Sequence, residues 1–322
     1  ALDGDEETFI ENLLTKLAPS GGISMVSDSY DYWNVVTNIL PKLKKEILSR
    51  DGTLFVRGDS GDPIRIVSGY LIQEASLIDG EWVIPSDFPG DENLEYNYIC
   101  SKVPCGNNEY KYYNIKFNTI EKVWSADLSS EISEYEAKGT VEVLYDNFGG
   151  YTNSKGFKVL DDHIRAIYGD SITQNRAEMI YKILKLKGFA SNNVALGAGS
   201  FSFHCYENGK GRLYPYTRDT YGCAIKATYC EWKDENGVVH ELGFCKDPKT
   251  NDNTDVIKKS MKGCCAVHKA SDGIHYLDHD GMTFSGSKLD SNNCLDVVFL
   301  NGKLIKETSL ESIRKNLYGS KF

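Results

Sequence analysis

Four short apolar runs in this chain each end in a residue able to do chemistry. Asp28 follows Ile23-Ser24-Met25-Val26-Ser27, and Arg57 and Asp59 close Thr53-Leu54-Phe55-Val56. Asp170 follows Ala166-Ile167-Tyr168-Gly169, and Gly197-Ala198-Gly199-Ser200 follows Val194-Ala195-Leu196. Carboxylates at such positions suit two tasks, holding Mg2+ through water and binding sugar hydroxyls. The glycine run leaves main-chain N–H groups open to an anion, although it lacks the lysine of a P-loop and the third glycine of a dinucleotide fingerprint. A basic set follows: Arg218, Lys226, Lys246, Lys258 and Lys259. In a chain of net charge −10, such cations could gather as a local phosphate or pyrophosphate pocket. Each feature also has a plainer reading. An Asp after a strand caps a helix, a glycine pair makes a tight turn, and lysines solvate a surface, the reading preferred for Lys259 and Lys262.

Other residues read as framework. Tyr30-Asp31-Tyr32-Trp33 is a packing segment, and the six histidines are scattered. His275-x-x-x-His279 has loose metal-ligand spacing but lies beside a glycine turn, so it is not read as a metal site. Nine cysteines without paired CxxC elements read as reduced thiols, which fits a cytoplasmic location. No apolar run approaches the roughly 20 residues of a membrane span, and the acidic balance argues against nucleic acid or anionic lipid as partners.

The elements that must position these groups follow from periodicity. Phe9, Ile10, Leu13, Leu14 and Leu17 predict a helix stopped by Gly21-Gly22, and Trp33, Val36, Ile39 and Leu43 predict a second. Ser171 or Thr173 can cap a helix running to Gly188, with Met179, Ile180, Ile183 and Leu184 as its apolar stripe. Strand and helix in alternation imply parallel strands with helical crossovers, and in a β/α barrel the strand ends converge on one mouth. The expected fold class is α/β. Residues 1–215 form a β/α-barrel portion with an inserted lobe at about 69–135, and residues 216–322 a smaller β-rich domain. The insertion is rich in Tyr, Glu, Asp and Asn and holds Pro85, Pro89 and Pro104. Its periodic segments are brief, which predicts an irregular lobe or elaborated loop. Hairpins are expected at Asn236-Gly237 and Asn301-Gly302. A final helix is expected from a Thr308-x-x-Glu311 capping box to Gly319.

Taken in order, several segments resemble nicotinamide phosphoribosyltransferases. They are Val26-Ser27-Asp28-Ser29-Tyr30-Asp31, Arg57-Gly58-Asp59-Ser60-Gly61-Asp62-Pro63, Asn153-Ser154-Lys155-Gly156-Phe157-Lys158, Tyr168-Gly169-Asp170, Gly197-Ala198-Gly199-Ser200, Thr217-Arg218-Asp219, Lys246-Asp247-Pro248 and Lys258-Lys259-Ser260. The resemblance covers nearly the whole chain outside the insertion and corresponds to the C-terminal portion of the family's chain. It implies an incomplete, irregular β/α barrel of the type II phosphoribosyltransferase kind plus a smaller α/β domain. The implied reaction joins nicotinamide to phosphoribosyl pyrophosphate with Mg2+, giving nicotinamide mononucleotide and pyrophosphate. It further implies a homodimer with shared sites, and ATP as an activity coupler in the complete enzyme.

By the same resemblance, Asp28 and Asp59 serve the Mg–pyrophosphate and ribose region and Arg57 lines the base and pyrophosphate pocket. Gly169 and Asp170 hold the ribose, and Gly199 and Ser200 offer donors to the 5′-phosphate. Arg218 and Lys226 reach that phosphate, from the other subunit, while Lys246 and Lys258 meet the pyrophosphate side. The family's nicotinamide clamp and phospho-accepting histidine lie in its N-terminal half, so that half is expected on a separate chain or a missing segment. A nicotinate-specific relative and a non-catalytic phosphate-binding or assembly subunit are the alternatives.

Overall fold

The computed structural model describes residues 5–85, 96–207, 213–216, 225–247 and 259–319. Contacts group the chain into two units, residues 1–225 with 246–259, and residues 226–245 with 260–322. In the first, the chain forms β1 (Ile23–Val26), β2 (Leu54–Gly58), β3 (Leu71–Glu74), β4 (Ser76–Ile78), β5 (Glu81–Ile84) and β6 (Ile99–Gly106). It continues through β7 (Glu109–Asn118), β8 (Val123–Ile132), β9 (Gly150–Thr152), β10 (Lys158–Leu160), β11 (Ile164–Tyr168) and β12 (Val194–Leu196).

The apolar runs that end in chemical residues become one sheet, of order β1-β2-β11-β12, with every neighbouring pair parallel. The protein is thus mixed α/β, with a parallel sheet at the heart of this unit. Burial alternates along β2 and β11: Leu54, Val56, Ile164, Ala166 and Tyr168 are sealed on the helix-covered face, while Phe55, Arg57, Arg165 and Ile167 are half-buried on the other. The Gln174–Leu186 helix packs Ile180, Ile183 and Leu184 into this core, with Met179 at its margin. Its cap is Thr173, whose Oγ1 accepts from Arg176 N at 3.2 Å. The helices expected around Leu13 and Val36 form, but each contains a turn of π-helix, at Leu13–Leu17 and Val35–Ile39. After the second stretch comes Leu40 and then Pro41, which can donate no N–H.

The insertion is more regular than its sequence suggests. It builds a six-stranded sheet of order β3-β6-β7-β8-β5-β4, in which β3 and β6 run parallel and the other pairs antiparallel. Two irregularities hid the period of two: a register shift at Pro104/Gly106 in β6 and another at Tyr113/Ile115 in β7. Each bulge moves the following side chains to the opposite face, so no long alternation survives in the sequence.

The lobe begins and ends at one point. Gly69 (φ +65°) and Gly139 (φ +77°) pass so closely that a Cβ on Gly139 would lie 2.2 Å from Gly69 N. Beside this crossing, Lys187 Nζ donates to Ser68 O at 3.0 Å and Lys138 O at 2.5 Å and pairs with Glu142 at 2.6 Å. One ammonium therefore satisfies carbonyls at the ends of the Pro63–Ser68 and Glu134–Lys138 helices, the favourable place for a cation. Burial pushes the Lys187 pKa down, and Glu142 opposes that shift.

In the second unit, hairpins pair Tyr229–Lys233 with Val239–Gly243 and Phe299–Leu300 with Lys303–Leu304, at the two expected Asn-Gly turns. A third joins Cys264–Lys269 to His275–Met282. The final helix runs Leu310–Tyr318 and stops at Gly319 (φ +68°). Its cap is Ser309, accepting from Ser312 N, and not Thr308. A cap at Ser309 leaves Glu311 in the first turn, where a carboxylate still favours the positive end of the dipole.

Gly139→Ala is expected to cost about 3 kcal/mol or more, because left-handed strain and backbone overlap add. Gly149, also at positive φ (+79°), has nothing within 4 Å of a built Cβ. With ψ at −158° the strain alone should make Gly149→Ala cost about 1–3 kcal/mol, without the overlap that adds to it at Gly139. Urea midpoints of the two variants check the difference.

Candidate functional site

Ladder register sets the site. Val26 pairs with Arg57, Arg57 with Ile167, and Tyr168 with both Gly58 and Leu196, so the four strands stop at nearly one level. The residues just past that level are Asp28, Asp59, Asp170 and the Gly197–Ser200 loop.

Asp28 is 2% exposed, an unusual place for a carboxylate. Its Oδ2 accepts from Asp59 N at 3.1 Å. Its Oδ1 is buried with no hydrogen-bond partner, and the nearest cation is Lys246 Nζ at 3.6 Å. The same ammonium lies 3.9 Å from Asp59 Oδ2, so a single positive charge spans both carboxylates. Asp59 Oδ1 in turn accepts from Arg57 Nη2 at 2.9 Å. Lys246 is brought in by its neighbour Asp247, whose N–H donates to Ser29 O at 3.1 Å. Arg57 also runs along Gly169: a Cβ there would meet Arg57 Nη2 at 3.3 Å. Gly197 packs on Gly169 Cα, 2.8 Å from a built Cβ, and its N–H bonds Tyr168 O. Arg57, Gly169 and Gly197 therefore form one continuous surface in which a side chain on either glycine would intrude.

Tyr168 supports this surface from below. Its ring lies 3.2 Å from a Cβ built on Gly58, and its Oη donates to Gly61 O at 2.9 Å. Burial pushes its phenol pKa far up, and the charges of Asp170, Asp28 and Asp59 push it further. All three carboxylates thus act on one buried ring, and the phenol stays a donor at every working pH. After Asp170 the chain turns through Ser171 at φ +50°, a conformation a non-glycine residue adopts at some cost. Arg176 Nη1 holds that turn by donating to Ser171 O at 2.7 Å. Gly199 and Ser200 open the short Ser200–Phe203 helix, and Gly199 faces open space.

Asp28, Arg57, Asp59, Gly169, Asp170 and Lys246 are thus gathered, with the Gly199–Ser200 loop on the adjacent strand end. Lys226 is exposed and belongs to the second unit. Arg218 and Lys258 lie outside the described residues. Lys259 makes an exposed pair with Asp247 at 2.7 Å. In the second unit, His279 Nδ1 meets Asp278 at 2.7 Å and His268 Nε2 meets Asp290 at 2.7 Å. Sequence reading passed over Tyr168, the left-handed Ser171 and the buried Ser60, whose Oγ has no hydrogen-bond partner. A Tyr at the end of a buried strand is ordinary, and Ser171 reads in sequence as a helix cap, a role that Thr173 takes.

Among the described residues, Asp28, Asp59 and Asp170 stand at these strand ends with Arg57 and Lys246. Among the described residues no group of three His, Cys, Asp or Glu could hold a metal ion. Asp28 and Asp59 nonetheless fit a hydrated Mg2+, with the unpartnered Asp28 Oδ1 as an acceptor and the ligand's own oxygens completing the shell.

A sequence model of the nicotinate phosphoribosyltransferase family matches residues 6–273. The chain is similar to the nicotinamide phosphoribosyltransferase of Acinetobacter baylyi, 32% identical over 98% of this chain and 48% of that protein. It is 31% identical to the enzyme of the same name from Mycoplasma pneumoniae, over 70% of this chain and 35% of that one. With the Xanthomonas campestris protein, also named nicotinamide phosphoribosyltransferase, identity is 25% over 94% of this chain and 46% of the other. The chain spans about half or less of the length of these relatives. Among the described residues, no helix is long and apolar enough to cross a membrane.

Two outcomes test this geometry. Gly197→Ala should lower stability by about 1–3 kcal/mol, because the added methyl overlaps Gly169 Cα; chemical denaturation measures it. Glu6, in the first helix, carries a pKa raised to about 7 by burial and by the charges of Asp31 and Asp28. The folded state then holds this proton more tightly than the unfolded chain. Its contribution to stability is complete below the ordinary value of 4.5 and is lost as pH rises through about 7. In metal-free buffer the denaturation midpoint should fall across that window, and Glu6→Gln should flatten the fall.

Proposed function

The chain belongs to the nicotinate phosphoribosyltransferase family, and from that premise we propose that it carries the sugar–phosphate side of a nicotinamide phosphoribosyltransferase. The observation that carries the reading is the convergence of Asp28, Arg57, Asp59, Gly169 and Asp170 at the ends of adjacent parallel strands. The parallel sheet is read as part of an irregular β/α barrel. The remaining polypeptide, or a separate chain, would complete it and supply the nicotinamide clamp. The choice of nicotinamide over nicotinate rests on the names of the relatives.

The geometry suits the proposed reaction. Cleaving C1 of phosphoribosyl pyrophosphate from its leaving group places positive charge on the sugar and negative charge on pyrophosphate. Asp170, beside Gly169, would hold the ribose hydroxyls and stabilise the developing sugar cation. Arg57 and Lys246 would meet the departing pyrophosphate, a role supported by the contacts both make with Asp59. Gly199 and Ser200 would offer N–H donors to the 5′-phosphate. Bound Mg2+, held by Asp28 and Asp59 through water, would neutralise pyrophosphate charge. No covalent nucleophile is needed, since a fixed base can attack C1 directly. A homodimer with Arg218 and Lys226 contributed across its interface, and coupling to ATP, belong to the same reading.

The test is to supply the rest of the polypeptide, add nicotinamide, phosphoribosyl pyrophosphate and Mg2+, and measure nicotinamide mononucleotide and pyrophosphate. Equimolar release of the two supports the reading, and no product under those conditions rejects it. A parallel reaction with nicotinate competing decides the base. Asp59→Asn should lower kcat/KM at least about 100-fold, since it loosens Arg57 and Lys246 together. Chelating the metal should abolish turnover, and added Mg2+ should restore it.

A further inference from the structure

The inserted lobe reaches the far end of the loop that follows Arg57 and carries Asp59, where a phenol makes the contact. That loop, residues 58–62, is fixed from inside by Tyr168 Oη on Gly61 O and by Asp28 on Asp59 N. From the other side it ends at Asp62, the cap of the Pro63–Ser68 helix, whose Oδ1 accepts from Ile64 N at 2.9 Å. The remaining oxygen, Oδ2, accepts from Tyr98 Oη at 3.3 Å. Tyr98 stands at the head of β6, inside the lobe, and is 9% exposed.

Three further contacts, all at Arg65, join the lobe to the helix that Asp62 caps. Arg65 donates from Nη2 to Asn97 O at 3.3 Å, and its guanidinium lies 6.0 Å from the Tyr98 ring centre and 5.4 Å from that of Tyr70. Tyr70 follows Gly69 directly, so the start of the lobe and its β6 edge both touch the Pro63–Ser68 helix at Arg65. The helix is six residues long and its position fixes where the loop re-enters the fold. Both carboxylate oxygens of Asp62 are used, one to start the helix and one to meet the lobe. A rotation of that carboxylate would therefore disturb the cap and the loop together.

We propose that the inserted lobe acts on the sugar–phosphate site, and that Tyr98 is its positioning residue. Through Asp62 the phenol holds the Gly58–Asp62 loop in the position that keeps Asp59, and through it the Arg57 guanidinium, at the ligand. The lobe is then a working part of the site, although it contributes no group to the reacting atoms. This rests on the sugar–phosphate site given under Proposed function, and its binding consequence does not require turnover.

The test uses the complete polypeptide, or this chain joined by its missing half, and Tyr98→Phe, which removes only the hydroxyl and keeps the ring against Arg65. Asp62→Ser is the second variant; it retains a helix-capping oxygen but is too short to reach Tyr98. Two readouts are taken: kcat and KM for phosphoribosyl pyrophosphate, and the affinity of Mg–pyrophosphate by calorimetry. Each variant is expected to lower kcat/KM and the Mg–pyrophosphate affinity about tenfold, with the thermal midpoint within about 3 °C of the parent. The double variant should be no worse than the poorer single one, because both remove the same contact. Kinetics and affinity within twofold of the parent in both variants would overturn the proposal. If the parent binds Mg–pyrophosphate yet makes no nicotinamide mononucleotide, the functional reading fails, and the calorimetric arm alone decides the role of Tyr98. An unfolded Tyr98→Phe protein leaves the decision to Asp62→Ser.

Discussion

Parallel pairing of β2 with β1 on one side and β11 on the other places Arg57 opposite both Val26 and Ile167. Because a parallel ladder has every strand ending in the same direction, each connection leaves from the same edge. The loops that carry Asp28, Asp59 and Asp170 are neighbours for that reason, although the chain separates the first from the last by more than a hundred residues. A slip of one residue in β2 would turn Arg57 into the helix-covered core and expose Val56 in its place. The burial of Leu54 and Val56 therefore holds the register that the site uses.

On that frame the local electrostatics are tightly interdependent. Asp28 is sealed from solvent, a costly position for a carboxylate unless other groups meet it. Asp59 N meets one of its oxygens, and Lys246 lies near the other without reaching hydrogen-bond distance. The same Lys246 answers Asp59, which also orients Arg57. These four side chains and one amide form a set in which moving any member leaves another charge poorly compensated. The glycines at 169 and 197 complete the set: Gly169 lets the chain after β11 run against Arg57, and Gly197 lets the chain after β12 pack on Gly169. Among the described residues the carboxylates of Asp28, Asp59 and Asp170 stand at these strand ends with Arg57 and Lys246 as their basic neighbours.

The strands, the Thr173-capped helix and both Asn-Gly hairpins were legible because each depends on local pattern: apolar runs, a capping hydroxyl, a turn that wants positive φ. The carboxylates were legible because they stand directly after those strands. The regular sheet of the insertion was not, since the bulges near Gly106 and Ile115 erase the alternation that marks a strand. The final helix was displaced by one residue at its start, because Thr308 and Ser309 are both good caps and only the fold selects between them. The role of Tyr168 beneath Gly58 was hidden as well, for a buried tyrosine looks the same in sequence wherever its hydroxyl points.

What the sequence alone determined is the set of chemical groups and the strand ends that bear them, because both are properties of a few consecutive residues. The ordered motifs also carried the family resemblance, since order along the chain survives without any knowledge of contacts. Tertiary structure decided three things that involve distant residues. It set Lys246 between Asp28 and Asp59, it brought Gly69 against Gly139 so that the insertion closes on itself, and it laid Tyr98 against Asp62. Each depends on segments separated by tens to hundreds of residues, and no local spacing encodes a distance through space.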